Sequence, residues 1–228
     1  MALHQAGMVY STTHIRHYSR KHHQFYPTQI KYMIVMLDTS GSLQKAQDEI
    51  GCEVEQLITP LTRRAIQAPN KHYCIDNGAF ATFELKGFLT LLERQKPEKH
   101  LCRWVAVPDI VGSARRTIEV FHRWKNRIDF PLAFVCQDGQ EDLEIPWDEV
   151  SAIFIGGTTQ WKMSNHVVQI IKAAQALEKW VHVGRVNTPG RFEYFENFGV
   201  DSLDGTGLGR YTHMRKAIYE LHNQPKLI

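Results

Sequence analysis

Several things the chain lacks narrow what it can be. Its longest apolar run, Tyr32 to Leu37, falls far short of the roughly 20 residues of a membrane span. The basic start has no apolar signal-peptide core, so a cytoplasmic protein with no membrane partner is expected. Cysteine is scarce: Cys52, Cys74, Cys102 and Cys136 are widely spaced with no C-x-x-C pair, which excludes a structural zinc cluster and fits reduced thiols. No G-x-x-x-x-G-K-[ST] loop is present and no G-x-G-x-x-G follows a strand, so no nucleotide cofactor is expected. Gly205-Thr206-Gly207-Leu208-Gly209 is glycine-rich but off both patterns. A G-x-S-x-G elbow and a zincin-spaced His-Glu pair are missing as well. No repeat, low-complexity tract or Pro/Gly-rich linker divides the 228 residues, and one domain is expected.

One sign of charge is absent from the first part of the chain. No acidic residue precedes Asp38, while Arg16, Arg20, Lys21 and Lys31 occur there with His4, His14, His17, His22 and His23. Tyr10, Tyr18, Phe25 and Tyr26 interleave with these cations in a basic segment of about residues 1–31. That mixture suits phosphate neutralisation and base stacking, which makes Arg16, Arg20 and Lys21 candidate nucleic-acid contacts; a solvated arm is the other reading. The histidines have no cysteine or carboxylate beside them, and no metal is expected. Over the whole chain 27 Lys+Arg against 24 Asp+Glu leave only +3, so the distribution carries the signal rather than the sum.

What is present beyond the arm is an alternation of short β-branched or aromatic runs with longer amphipathic ones, the pattern of repeated βα units. Strands are predicted at Ile30 to Leu37, His72 to Ile75, Trp104 to Val107, Pro131 to Cys136, Ala152 to Ile155, Trp180 to Val183 and Val200 to Leu203. Helices are predicted at Glu53 to Gln67, broken or kinked by Pro60, then Glu84 to Arg94, Ala114 to Asn126, Asn165 to Glu178, Arg191 to Asn197 and His213 to Leu221. Ser113 and Ser164 stand at N-cap positions. With Gly7 to Ser11 as an eighth strand, the fold expected is a compact (β/α)8 TIM barrel, short against the typical length of about 250 residues. A doubly wound open sheet is the alternative.

Polar residues or glycine follow nearly every predicted strand: Asp38, Asp76-Asn77-Gly78, Pro108-Asp109, Gln137-Asp138-Gly139, Gly156-Gly157, Gly184-Arg185 and Asp204-Gly205. In a parallel barrel those ends share one mouth, so Asp76, Asp109, Gln137 and Asp204 converge there. Aspartate and glycine are also turn formers and caps, and Asp38 and Asp138 are assigned to that plainer role. Asp76 before Asn-Gly fits either. Asp109 follows a proline where Ser113 is the better cap, and Asp204 runs from an apolar strand into a glycine loop; both placements point to chemistry. Gly156-Gly157 removes side chains so that a ligand can reach backbone N–H groups.

These segments, in this order, resemble the tRNA-guanine transglycosylase family. Asp76-Asn77-Gly78-Ala79-Phe80 is similar to its D-S-G-G-[FY], Val107-Pro108-Asp109 to the segment with its base-reading aspartate, and Val135-Cys136-Gln137-Asp138-Gly139 to V-Q-G-G. Ile155-Gly156-Gly157 is similar to its G-G-L loop, Val183-Gly184 with Thr188-Pro189 to M-G-V-G-T-P, and Gly199-Val200-Asp201-Ser202-Leu203-Asp204 to G-[VI]-D-M-F-D. The likeness spans roughly residues 72 to 210 and implies a barrel whose first strand lies in the N-terminal arm. The family's zinc-binding C-x-C-x-x-C is absent, and Thr206-Gly207-Leu208-Gly209-Arg210 stands where the family has P-T-R. In these losses the chain is similar to the small zinc-free DNA-guanine transglycosylases of phages and of bacterial 7-deazaguanine DNA modification.

The resemblance implies exchange of guanine in DNA for a 7-deazaguanine base (preQ0-like), with no metal or other cofactor. Asp204 would be the nucleophile and Asp76 would assist by proton transfer or at the ring edge. Asp109 would hold guanine N1 and N2, Gln137 and the Gly157 N–H beside Gly156 would hold O6, and Phe80 and Val183 would stack on the base. Lys162, Arg185, Arg191 and Arg210 are candidates, with the arm, for gripping the nucleic-acid backbone. The alternatives are tRNA as the partner, or a non-catalytic nucleic-acid-binding barrel.

Overall fold

The computed structural model describes residues 33–38, 42–62 and 71–223. Eight strands run β1 (Ile34–Leu37), β2 (Val54–Ile58), β3 (Tyr73–Ile75), β4 (Cys102–Ala106), β5 (Leu132–Cys136), β6 (Ala152–Ile155), β7 (Trp180–Val183) and β8 (Ser202–Asp204). All neighbours pair in parallel and in sequence order, and β1 closes on β8 with Val35 opposite Leu203. The helices are α1 (Leu43–Ile50), α2 (Leu85–Gln95), α3 (Ala114–Trp124), α4 (Thr159–Lys162), α5 (Asn165–Ala176), α6 (Pro189–Asn197), α7 (Thr206–Arg210) and α8 (Thr212–Asn223). The protein is a (β/α)8 TIM barrel. No helix among the described residues is long and apolar enough to cross a membrane.

The first third of the barrel differs from expectation. The segment predicted as a helix over Glu53 to Gln67 begins with β2, and its spacing of Val54, Leu57, Ile58 and Leu61 imitates a helical face. In fact β2 is buried on both sides: Val54 and Ile58 face the outer layer, Leu57 faces the interior, and Glu55 is neutralised by Arg103. Parallel strands covered on both faces lack the polar alternation that normally marks a strand. Pro60 does not kink a helix; it sits in the turn in which the Thr62 N–H bonds the Thr59 carbonyl at 2.9 Å. With β2 in place, the barrel closes without a strand from the arm. Gly7 to Ser11 lies outside the described residues, as do Ile30 to Tyr32 at the start of the first predicted strand. Helix α1 is a further difference, absent from the predicted elements although Ser42 caps it by accepting the Lys45 N–H at 3.2 Å and Gly51 ends it at φ +80°.

Later elements follow the predicted ones within a few residues. Ser113 caps α3 by accepting the Arg116 N–H, whereas Ser164 stands at the N-cap of α5 without a capping bond. Outward side chains such as Val105, Phe134, Ile153, Val181 and Leu203 join the helices in the main core. At the N-terminal end of the strands Arg103 holds the buried Glu55 through two bonds of 2.7 and 2.6 Å and lies 4.6 Å over the Trp180 ring.

Candidate active site

Side chains alternate along each strand between helical layer and barrel interior. The inner set contains Met36, Leu57, Cys74, Trp104, Ala106, Ala133, Val135, Ala152 and Phe154. One more inward step at the C-terminal ends of the strands gives Asp38, Asp76, Gln137, Gly156, Gly184 and Asp204. There a cavity of about 780 Å³ opens, floored by Met36, Leu57, Ala106, Val135 and Phe154 and walled by Asp38, Asp76, Asn77, Asp109, Gln137 and Asp204.

Asp204 ends β8 with its side chain 17% exposed. Its Oδ2 accepts the Arg185 backbone N–H at 3.2 Å and lies 3.1 Å from His182 Nε2, while Oδ1 accepts no hydrogen bond among the described residues. Arg185 has φ +60°, a left-handed conformation uncommon outside glycine, and in it the N–H meets the carboxylate. His182 is fully buried under the site. The sequence pattern marks it only as part of a strand.

Asp109 is buried without an ion-pair partner among the described residues. Asn77 Nδ2 donates to its Oδ1 at 2.8 Å and Gln137 Nε2 to its Oδ2 at 2.7 Å. Gln137 Oε1 in turn accepts the N–H groups of Gly112 and Gly157, each at 3.0 Å. The two groups expected to hold a purine O6 are thus bonded to each other, and Asp109 keeps one lone pair on each oxygen for a ligand. Burial pushes the Asp109 carboxyl up, against the pull of the two amides and, behind them, of the Arg185 charge. A Cβ on Gly156 would come 2.8 Å from Gln137 Nε2, and Gly157 has φ +55°, so the glycine pair lets the backbone close on this amide.

Asp76 combines the turn role and the site role. Its Oδ1 accepts the Gly78 N–H at 2.7 Å in an Asx turn, and it also lines the cavity. Burial pushes its carboxyl up to about 7, with the charges of Asp204, Asp109 and Asp38 adding and the Gly78 N–H opposing. Asp38 lines the cavity and accepts from Thr62 Oγ1 at 2.7 Å. Asp138 ties down the next loop through Thr158 N and Oγ1, at 2.8 and 2.6 Å, rather than capping a helix of its own.

Cations occupy the side of the mouth built by the loops after β6, β7 and β8. Lys162 is 3% exposed and donates to the Gly184 carbonyl; burial, together with the Arg185 charge, draws its ammonium down to about 8. Arg185 donates to the Gly157 carbonyl at 2.5 Å and its guanidinium lies 4.0 Å over the ring of Phe80, which is 65% exposed. Arg191 and Arg210 line the same cavity.

Two expectations need correction. Val183 does not stack in the cavity: His182 and Gly184 take the inward positions of β7, so Val183 points into the outer core and is fully buried there. Gly157 contributes its N–H to Gln137 but is not part of the cavity lining. Arg16, Arg20, Lys21 and Lys31 lie outside the described residues. Among the described residues no group of three or more His, Cys, Asp or Glu is arranged to hold a metal ion.

A (β/α)8 barrel with a polar cavity at the C-terminal mouth is the class that fold and site define. No protein-family model and no curated protein matches the chain. Solved structures do. A mandelate oxidase mutant with a C4a-OH-FMN adduct aligns with TM-score 0.51 and 14% identity over 83% of this chain and 70% of that one. The BexX/CysO complex of Amycolatopsis orientalis aligns with TM-score 0.50 and 11% identity over 90% and 98%. KGPDC from Streptococcus mutans gives TM-score 0.44 and 13% identity over 84% and 97%. At these identities the likeness to the first two concerns the barrel fold alone.

Proposed function

We propose that the protein is an enzyme, a DNA-guanine transglycosylase that replaces guanine in DNA by a 7-deazaguanine base through a glycosyl ester on Asp204. The observation that carries this reading is the pairing of two unlike carboxylates in one cavity. Asp204 has one oxygen anchored and the other open, as a nucleophile requires, while Asp109 is buried and bonded by two amides, with no ion pair among the described residues, as an acceptor for the N1–H and N2–H₂ edge of a purine requires.

Retention at C1′ needs two displacements. In the first, Oδ1 of Asp204 bonds to C1′ as the C1′–N9 bond breaks and its electron pair leaves with guanine. Asp76, protonated in part near neutral pH, gives its proton to the departing base. In the second, N9 of the incoming base attacks C1′, the ester bond breaks, and the N9 proton returns to Asp76. The donor available to the base oxygen is the second N–H of Gln137 Nε2, whose first goes to Asp109; the Gly157 N–H, which donates to Gln137 Oε1, joins it only if that amide turns aside for the ligand. Lys162, Arg185, Arg191 and Arg210 supply the cationic wall against which the phosphates of an extruded nucleotide would lie.

The test uses the purified protein with a 7-deazaguanine base and, in separate reactions, duplex DNA or tRNA, followed by digestion to nucleosides and mass spectrometry. Deazaguanine deoxynucleoside in the DNA is the expected result. Incorporation confined to tRNA replaces the DNA assignment by the tRNA one, and incorporation into neither leaves a nucleic-acid-binding barrel.

A further inference from the structure

Beneath Asp204 a buried polar chain crosses the barrel interior. Trp180 and His182 project inward from β7, and Ser202 and Asp204 from β8, where the strand register sets His182 opposite Ser202. Trp180 Nε1 lies 2.8 Å from Ser202 Oγ, Ser202 Oγ lies 2.9 Å from His182 Nδ1, and His182 Nε2 lies 3.1 Å from Asp204 Oδ2. His182 is sandwiched between Trp104 and Phe154, with ring centroids 4.8 and 4.6 Å away, so it cannot swing to another partner.

The chain has a direction. An indole nitrogen only donates, so Ser202 Oγ accepts from Trp180. Among the described residues the Ser202 hydroxyl has one remaining partner for its own proton, His182 Nδ1. Nδ1 is therefore the acceptor, and the imidazole proton sits on Nε2, facing Asp204. From this we infer that His182 is a positioning residue for Asp204, locked by Ser202 and Trp180 as the Nε2–H tautomer. With the Arg185 N–H it pins Oδ2 and leaves Oδ1 as the attacking oxygen. The imidazole shuttles no proton; its work is to fix which carboxylate oxygen is free and where that oxygen points. The inference of a nucleophilic role rests on the proposed function, whereas the tautomer does not.

The closing experiment has two arms. In protein with ¹⁵N-labelled histidine, assigned by the signal that disappears in His182→Gln, Nδ1 of His182 is expected to resonate as the pyridine-type nitrogen and Nε2 as the pyrrole-type, with Ser202→Ala mixing the two forms. An Nδ1–H tautomer or an imidazolium at neutral pH overturns the lock whether or not the protein exchanges bases. In the second arm, single-turnover base exchange is compared for His182→Leu, His182→Gln and Ser202→Ala at matched folded fraction. Leucine should lower the rate of ester formation roughly 10- to 100-fold with substrate affinity unchanged. Glutamine, whose amide N–H can take the place of Nε2–H, should restore most of it, and Ser202→Ala should fall between. Equal rates for leucine and wild type, or a loss confined to affinity, overturn the positioning role. Absence of exchange in wild type with the tautomer as expected overturns the proposed function and, with it, the nucleophile-positioning role.

Discussion

The two ends of the barrel treat buried carboxylates in opposite ways. At the N-terminal end of the strands Glu55, 2% exposed, is held by both arms of the Arg103 guanidinium. At the C-terminal end Asp76 and Asp109 have only amide and backbone donors, and burial drives both carboxyls up. Lys162, Arg185, Arg191 and Arg210 line the same cavity, yet the Asp109 hydrogen bonds go to Asn77 and Gln137. An acid in a bidentate ion pair holds a structure together, whereas an acid bonded only to amides and backbone keeps a protonation equilibrium and acceptor capacity for a ligand.

The largest way to break this contrast is Asp204→Asn. The amide keeps the shape of the site but cannot form the glycosyl ester, so single-turnover exchange should fall by about four orders of magnitude with the thermal midpoint nearly unchanged. Near-normal exchange by this variant would remove Asp204 as the nucleophile.

Next in size is the dependence of stability on pH. A carboxyl raised from 3.8 to about 7 on folding binds a proton in the native state, between those two values, that the unfolded chain has already released. Stability therefore falls as pH rises through that window, by about 4 kcal/mol at most for Asp76 alone, and the loss is complete above about pH 7. Asp76→Asn should flatten this part of the profile, read as the difference in unfolding free energy between pH 5 and pH 8 against wild type. Parallel profiles would show that Asp76 is ionised throughout the window.

The other end should respond differently. Arg103→Met strands the Glu55 charge and should cost about 3 kcal/mol in denaturant unfolding, while Glu55→Leu combined with Arg103→Met should recover most of it, because a buried ion pair can be exchanged for apolar packing. A double variant no more stable than the single one would mean that the pair carries more than neutralisation.

How far this contrast could be read from sequence varies along the chain. The strands β5 to β8 are short β-branched or aromatic runs ended by Gln137, Gly156, Gly184 and Asp204, so both the element and the polar residue at its mouth end are visible. In β2, Glu55 and Gln56 interrupt the apolar pattern, and only the Arg103 partner on another strand explains the glutamate. His182 in Trp-Val-His-Val carries no local sign of its role, because Ser202 and Asp204 reach it only through the register of β7 with β8. Val183 shows the reverse error: a resemblance between segments places it in the cavity, and strand parity turns it to the outer layer.

The smallest expected effect concerns the cations at the two ends. Arg191 and Arg210 line the mouth, whereas Arg127 is exposed between α3 and β5 at the opposite end, with its guanidinium 5.6 Å from the Trp124 ring centroid. If DNA docks on the mouth, only the first pair meets phosphates. The slope of log K against log salt for duplex DNA should then flatten by about 0.9 for each phosphate left without its cation in Arg191→Gln and Arg210→Gln, and should stay at its wild-type value in Arg127→Gln. The same measurement on Arg16→Gln, Arg20→Gln and Lys21→Gln together assigns the N-terminal segment: a flattened slope makes it part of the DNA grip, and a wild-type slope makes it solvated surface. Equal flattening by Arg127→Gln and the mouth variants would show binding driven by diffuse charge, with no preference for the end of the barrel that holds Asp204.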